Sequence, residues 1–237
     1  MLPVADSIPR KKFPIISWII IGINVFIFSL ELELTPENLI KFFYYFGVVP
    51  ARYTNQNWAH WIGLPIDYSP FFTSLFIHGN WMHLIGNMWT LWLFGTAIEE
   101  RIGHFRFIFF YLLCGIISNL IHLFFNLNST IPAIGASGAI AGIMGAYFIL
   151  YPTASVIVLI PIFFLPYFIE LPAILYLGVW FLTQLFSGTF SIISPIYGTS
   201  IAWWAHVGGF LAGSLLIYYF IPPQRKIYPD EFYIKFT

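Results

Sequence analysis

Five residues combine types and spacing that could do chemistry: Ser137, His206, His83, Asn87 and His78. Ser137 stands in Gly135-Ala136-Ser137-Gly138 and His206 in Ala205-His206-Val207-Gly208-Gly209. His83 and Asn87 lie in the run His78-Gly79-Asn80-Trp81-Met82-His83-Leu84-Ile85-Gly86-Asn87. A serine hydroxyl is a poor nucleophile until a base takes its proton, and a neutral imidazole does that near pH 7. The tetrahedral intermediate of acyl transfer carries an oxyanion and needs donors already in place. The backbone N–H of Ser137, at a helix start, is one such donor, and the His83 and Asn87 side chains are the natural others. His78 is either a further donor behind them or an interfacial residue.

These groups sit in a chain that cannot be covered by polar surface. Of 237 residues, 59% are hydrophobic, 21% aromatic and only 8% charged. Mean hydropathy is +0.82. A soluble domain carries about 25% charged residues, so lipid is the solvent that fits. Net charge is zero, which gives no reason to expect nucleic acid or another polyanion. The single cysteine, Cys114, lies in an apolar run and reads as a small core residue rather than a thiol site.

Runs long enough to span fall near Phe13–Leu32, Phe72–Ile98, Phe105–Phe125, Ser137–Tyr151, Pro172–Phe186 and Ile201–Ile221. The expectation is an all-α, polytopic membrane bundle of six helices. Val156–Phe168 is apolar but interrupted by Pro161 and Pro166, and reads as a connection near the inner interface. Arg10, Lys11, Lys12, Arg101, Arg106, Arg225, Lys226 and Lys235 then share one side, against Lys41 and Arg52 on the other. That bias puts both termini in the cytoplasm. Residues 1–12 read as a cytoplasmic segment, 13–222 as the membrane domain and 223–237 as a cytoplasmic tail. The long first loop, with Tyr44, Tyr45, Trp58 and Trp61, reads as interfacial.

Counting from Pro152, Pro222 and Glu99 places Ser137, His206, His83 and Asn87 about 18–24 Å from the inner face. Three helices thus carry polar groups to one level of the outer half. His83 and Asn87 share a helical face. The stripe His206, Gly209, Gly213 and the small face Ser137, Ala141, Gly145 would let two backbones approach closely. One serine or one histidine alone would more often be a packing group, and it is the shared depth that favours chemistry. His60, His104 and His122 have no partner motif, and Asn24 and Asn119 read as interhelical hydrogen-bonding residues.

At these motifs the chain resembles the rhomboid family of intramembrane serine proteases, in its six-helix bacterial form. The resemblance runs from Pro14 to Pro222 and adds the turn Glu100-Arg101-Ile102-Gly103 with Arg106-Phe107. It implies a Ser137–His206 dyad without an acidic third member, oxyanion stabilisation by His83 and Asn87, and no metal or cofactor. It implies partners that are transmembrane protein substrates within a lipid bilayer, and residence in a bacterial plasma membrane. Two features depart from the family. The first loop has Arg52-Tyr53 and separate Trp58 and Trp61 in place of a Trp-Arg dipeptide. Ala141 stands one turn after the serine where some members stack an aromatic ring on the histidine, so His206 must be oriented from elsewhere.

Rival chemistries lack their residues. No H-E-x-x-H zinc motif occurs, and Asp6, Asp67 and Asp230 all lie outside the expected helices, which removes an aspartyl pair. A transporter would show membrane carboxylates or paired broken helices. An inactive relative that binds membrane clients without cutting them would have no use for the whole polar set. For entry of a substrate from lipid, the fifth helix is the expected gate, with Trp180, Phe181 and Leu185 on its closing face and Gln184 as a polar contact. Pro166 and Pro172 would loosen its inner end, and the Gly188–Thr199 loop its outer one.

Overall fold

The structure, a computed structural model, describes residues 2–162, 165–193 and 201–223. The expected tail beyond residue 223, with Arg225, Lys226 and Lys235, and much of the Gly188–Thr199 loop lie outside the described residues.

Strand β1 (Leu2–Asp6) precedes helix α1 (Ile15–Leu32). The first loop is itself helical: α2 (Pro36–Phe46), α3 (Pro50–Thr54), α4 (Gln56–Trp61) and α5 (Pro70–Thr73). Then come α6 (Trp81–Thr90), a π-helical turn (Leu91–Gly95) and α7 (Thr96–Ile102), one continuous rod about 33 Å long. Helix α8 (His104–Phe125) leads to α9 (Ser137–Leu150), a hairpin of β2 (Ser155–Ile162) and β3 (Leu165–Pro172), α10 (Ala173–Ile193) and α11 (Trp203–Phe220). Among the described residues three helices are long and apolar enough to cross a membrane, Ile15–Leu32, His104–Phe125 and Ala173–Ser191.

Two expectations need correction. The fold is not all-α, because β1, β2 and β3 form an antiparallel sheet in that order. Val156, Ile157, Val158 and Ile160 are β-branched and sit well on a pleated, half-buried surface. Pro161 and Pro166 face each other near the end of the ladder, where lost amide donors cost least. Residues 2–6 are therefore part of the packed structure rather than a free segment. They are held by Trp89 Nε1–H donating to Pro3 O (2.6 Å) and the Tyr147 hydroxyl donating to Asp6 Oδ2 (2.9 Å). Arg10 pairs with Asp6 and donates to Leu93 O (2.7 Å) in the π turn and to Thr96 Oγ1 (2.9 Å).

The second correction is that Phe72–Ile98 is not one helix. It breaks at Ile77–Asn80, and the rod starts at Trp81 with the Asn80 side chain capping His83 N–H (2.9 Å). At the far end the positive φ of Gly103 (87°) closes the rod and lets α8 start at once.

The first loop is anchored by the residues standing in for the missing dipeptide. Arg52, 1% exposed, donates from Nε to Pro65 O (2.8 Å) and from Nη1 to Tyr45 O (3.1 Å). The Tyr53 hydroxyl donates to Asp67 O (2.9 Å). Burial pushes that hydroxyl's pKa up to about 12, so it stays a donor across ordinary pH.

The centre of the fold is the contact of α9 with α11. A Cβ on Gly213 would lie 1.8 Å from Gly142 O, and one on Gly209 2.0 Å from Gly138 O. A Cβ on Gly145 would lie 2.1 Å from Phe210 O. The two helices therefore touch backbone to backbone, and α8 closes over them with Cys114 against Gly142 and Ser118 against Gly138. Gly213→Ala should destabilise the protein by about 1–3 kcal/mol through overpacking. Gly22→Ala, where nothing lies within 4 Å, should be neutral or mildly stabilising. Thermal unfolding in one detergent compares them, and equal melting temperatures would contradict this account of the packing.

Candidate active site

Ser137 is the first residue of α9, so its N–H belongs to the first turn and has no intrahelical acceptor. The strand-like approach to it is fixed at two points. Val48 and Ala133 exchange backbone hydrogen bonds (2.9 and 2.8 Å), and Gly135 N–H donates to Ser74 O (2.8 Å). Gly135 has φ +118°, and a Cβ there would meet His83 Nε2 at 2.5 Å. Only glycine lets this loop pass beneath the His83 ring.

Helix α11 brings His206 to the serine. Its Nε2 lies 2.9 Å from Ser137 Oγ, a hydrogen-bonding distance for a nucleophile and its base. Both residues are half-buried, so neither is sealed inside the protein. Ser118 Oγ donates to Ala205 O (2.9 Å), fixing α11 on α8 beside the histidine. The ring of Trp180 lies 6.0 Å from that of His206, tilted by 34°, and Trp203 meets it edge-on at 6.3 Å. Two indoles, rather than a ring at position 141, thus pack near the imidazole. The other ring nitrogen, Nδ1, is 2.7 Å from Gln184 Oε1 of α10.

On the opposite flank, Asn87 and His83 rise from α6 next to the Gly135 loop. The same Cβ position at Gly135 is 3.5 Å from Asn87 Nδ2. That amide also contacts His78 Nε2 at 2.9 Å, and the His78 and His83 rings pack edge to face at 5.0 Å. His78 is fully buried rather than interfacial. It occupies the helix break, where its backbone N–H donates to Glu31 Oε1 of α1 (2.9 Å). Glu31, 3% exposed, thus holds the segment that carries His78. An Asn amide has two hydrogens; one points to His78 and the second is free for another acceptor.

The structure therefore brings together all five residues singled out from sequence. His60, exposed, and His104, paired with Glu99, stay apart from them, whereas His122, bonded to Asn126, lies near enough to His206 for their charges to interact. Asn119 bonds between elements, to Phe71 O and Ser74 Oγ, whereas Asn24 bonds back to Ile20 O of its own helix. Sequence reasoning missed Glu31 and gave Gln184 only a gate contact. The signal for both was a polar side chain on a spanning helix, which needs a partner.

A family model described as the rhomboid domain matches residues 65–223, which hold Ser137, His206, His83, Asn87, His78 and Gln184 but not Glu31. The chain belongs to the rhomboid family. Rhomboid-like protein 11, chloroplastic, of Arabidopsis thaliana is 31% identical over 57% of this chain and 41% of its own length. The presenilin-associated rhomboid-like protein, mitochondrial, of Rattus norvegicus is 34% identical over 40% of this chain and 26% of its own. Rhomboid protease GluP of Bacillus subtilis is 40% identical over 31% of this chain and 14% of its own. The chain spans less than half the length of these relatives. Rhomboid membership and the apolar helices make this an integral membrane protein.

Replacing His78 by Leu should cost about 1–3 kcal/mol of stability, because the buried Asn87 amide loses its acceptor. Asn87→Leu in the same background should cost little more, since the two share one interaction. Fully additive losses in thermal or denaturant unfolding would show that the pair is not coupled.

Proposed function

We propose that this rhomboid protein is an intramembrane serine endopeptidase that cuts client proteins in or next to a transmembrane helix. The observation that carries the reading is the 2.9 Å contact of His206 Nε2 with Ser137 Oγ. In the acylation step Ser137 Oγ bonds to the scissile carbonyl carbon while its proton passes to His206 Nε2. The carbonyl oxygen, now an oxyanion, is met by the Ser137 N–H, the free Asn87 N–H and His83. His206 returns the proton to the leaving amine as the C–N bond breaks. Water, activated in turn by His206, then releases the acyl group. His78 holds Asn87 in aim. The scheme calls for no metal or cofactor.

The proposed topology has six spans, with the rod Trp81–Ile102, α9 and α11 joining the three long apolar helices, and both termini in the cytoplasm. Helix α9 has 14 residues, about 21 Å against a hydrocarbon core near 30 Å. Ser137 at its outer end is thus recessed below the membrane surface. We propose the bacterial plasma membrane as its location. A client helix enters sideways past α10, whose spanning window is 22% buried against 44% for α8. Phe181 stacks on Phe210 (4.7 Å) and Trp180 packs near His206, which gives α10 a closing face. An inactive relative that only binds clients is the alternative, and the aligned serine and histidine weigh against it.

Ser137→Ala and His206→Ala should each abolish cleavage of a model transmembrane substrate in liposomes and labelling by a fluorophosphonate, with unfolding unchanged. Turnover near wild type in either variant would end the dyad assignment. Asn87→Ala or His83→Ala should slow turnover by about a hundred- to a thousandfold, and a double variant with wild-type rates would place the oxyanion hole elsewhere. Phe181→Ala should speed cleavage of the transmembrane substrate with no gain on a small water-soluble ester; equal effects on both would argue against a gate in α10.

A further inference from the structure

The contact between His206 Nδ1 and Gln184 Oε1 allows the protons of the site to be assigned. Gln184 is 7% exposed, and its amide makes two contacts. Its Nε2 donates to Thr183 Oγ1 at 3.2 Å. The Thr183 hydroxyl has already given its hydrogen to Trp180 O at 2.6 Å, so toward the amide it offers only a lone pair. That fixes which end of the amide is which: nitrogen toward Thr183, oxygen toward His206. A carbonyl oxygen carries no hydrogen, so the hydrogen in the 2.7 Å contact sits on His206 Nδ1. A neutral imidazole has one such hydrogen, which leaves Nε2 bare, 2.9 Å from Ser137 Oγ.

We propose that Gln184 is a positioning residue for His206, holding the imidazole by its Nδ1–H in the tautomer and orientation that make Nε2 the acceptor of the Ser137 proton. The proposal rests on the reading of Ser137 and His206 as nucleophile and base. It supplies what Ala141 does not, a fixed partner for the base, and it does so from α10. A carboxylate in the same place would have to be kept ionised at bilayer depth, which is expensive. An uncharged amide fixes the tautomer without that burden. It also stabilises the imidazolium less, since both Nδ1–H and Nε2–H must be held once the serine proton has moved.

The test uses the full chain in detergent micelles and the second-order rate of fluorophosphonate labelling, a small probe that needs no client helix. Gln184→Met keeps the length and removes the acceptor, Gln184→Asn keeps the amide and withdraws it by one carbon, and Gln184→Glu keeps an acceptor in place. The Met and Asn variants should label about ten- to a hundredfold more slowly. Gln184→Glu should label well only at a pH high enough to ionise the new carboxyl, so its acidic limb moves to higher pH. The carboxylate accepts from Nδ1–H, whereas the protonated carboxyl does not, and the imidazolium is unreactive. The remaining groups around His206 are Ser137 of α9, Trp180 of α10 and Trp203 of its own helix, with His83 of α6 and His122 of α8 the titratable ones. None is altered, so a displaced limb reports position 184. Wild-type labelling by Met or Asn, with only KM for a transmembrane substrate changed, would make Gln184 a gate contact and overturn the proposal. Labelling by Glu as slow as by Met at every pH would overturn it too. Should Gln184→Met fail to fold, the Asn and Glu variants decide alone. Ser137→Ala runs in parallel: labelling that survives it strikes the underlying dyad, a result that no Gln184 outcome imitates.

Discussion

Everything in this structure hangs on two helix backbones touching. Helices α9 and α11 meet where Gly209 and Gly213 lie on Gly138 O and Gly142 O, with no space for a single methyl group. Lipid tails are as apolar as leucine, so burial alone gives membrane helices little reason to associate. Close contact between small residues provides dispersion that bulkier residues would prevent. The same closeness sets the chemistry. His206 lies one turn before Gly209 on α11, and Ser137 directly precedes Gly138 on α9. A wider helix separation would open the 2.9 Å contact between them by the same amount.

Around that contact the polar groups divide into two chains, one on each side of the serine. One runs from Glu31 through the His78 backbone, and from the His78 ring to Asn87. The other runs from Thr183 through Gln184 to His206 and on to Ser137. Each chain begins on a helix outside the α9–α11 pair. A polar group deep in a membrane is costly unless it is bonded. Meeting that requirement also removes its freedom to turn. Burial of these residues and their aim are thus one property, which is how a half-buried site keeps donors and base in place.

How much of this was readable beforehand follows from which forces are local. The glycine stripes, the shared depth of Ser137, His206, His83 and Asn87, and the family's motifs are written in residue type and spacing. The helix break at Ile77–Asn80 is less legible, because apolar residues flank it on both sides and only Gly79-Asn80 marks it locally. What breaks it is the capping Asn80 and a carboxylate 47 residues away on α1. The strands were missed for a related reason. A short apolar run does not reveal its period, and β2 is a strand because it pairs with β3 along its whole length and with the distant β1 on its other edge. Asn24 and Asn119 looked alike in sequence; Asn119 bonds across to Phe71 O, whereas Asn24 donates to Ile20 O of its own helix with the Tyr111 hydroxyl of α8 beside it. Gln184 was visible as a polar residue on a spanning helix, but its partner depended on the rotation of α10, which no local pattern sets.

That rotation raises a conflict in the design. Among the described residues α10 is the least buried of the long apolar helices, and in the proposed gating it is the one a client helix displaces. It also carries the amide that holds His206. If α10 moved as a rigid body to admit a substrate, the base would lose its Nδ1 partner just when the scissile bond arrived. Two features reduce the conflict. Trp203 meets His206 from within α11, so this contact is carried by the histidine's own helix. Gln184 lies more than two turns short of the end of α10 and Phe181 lies a turn before it, so the closing face and the holding amide are stacked along one short segment. A movement large enough to pass a helix would carry both, and the base would be fully held only after α10 had settled back against the bound client. Opening and catalysis would then be successive states of one helix. Under the proposed reaction that order would have a chemical benefit, because the serine would be activated once the site is occupied and shielded, and less so while it is open to water.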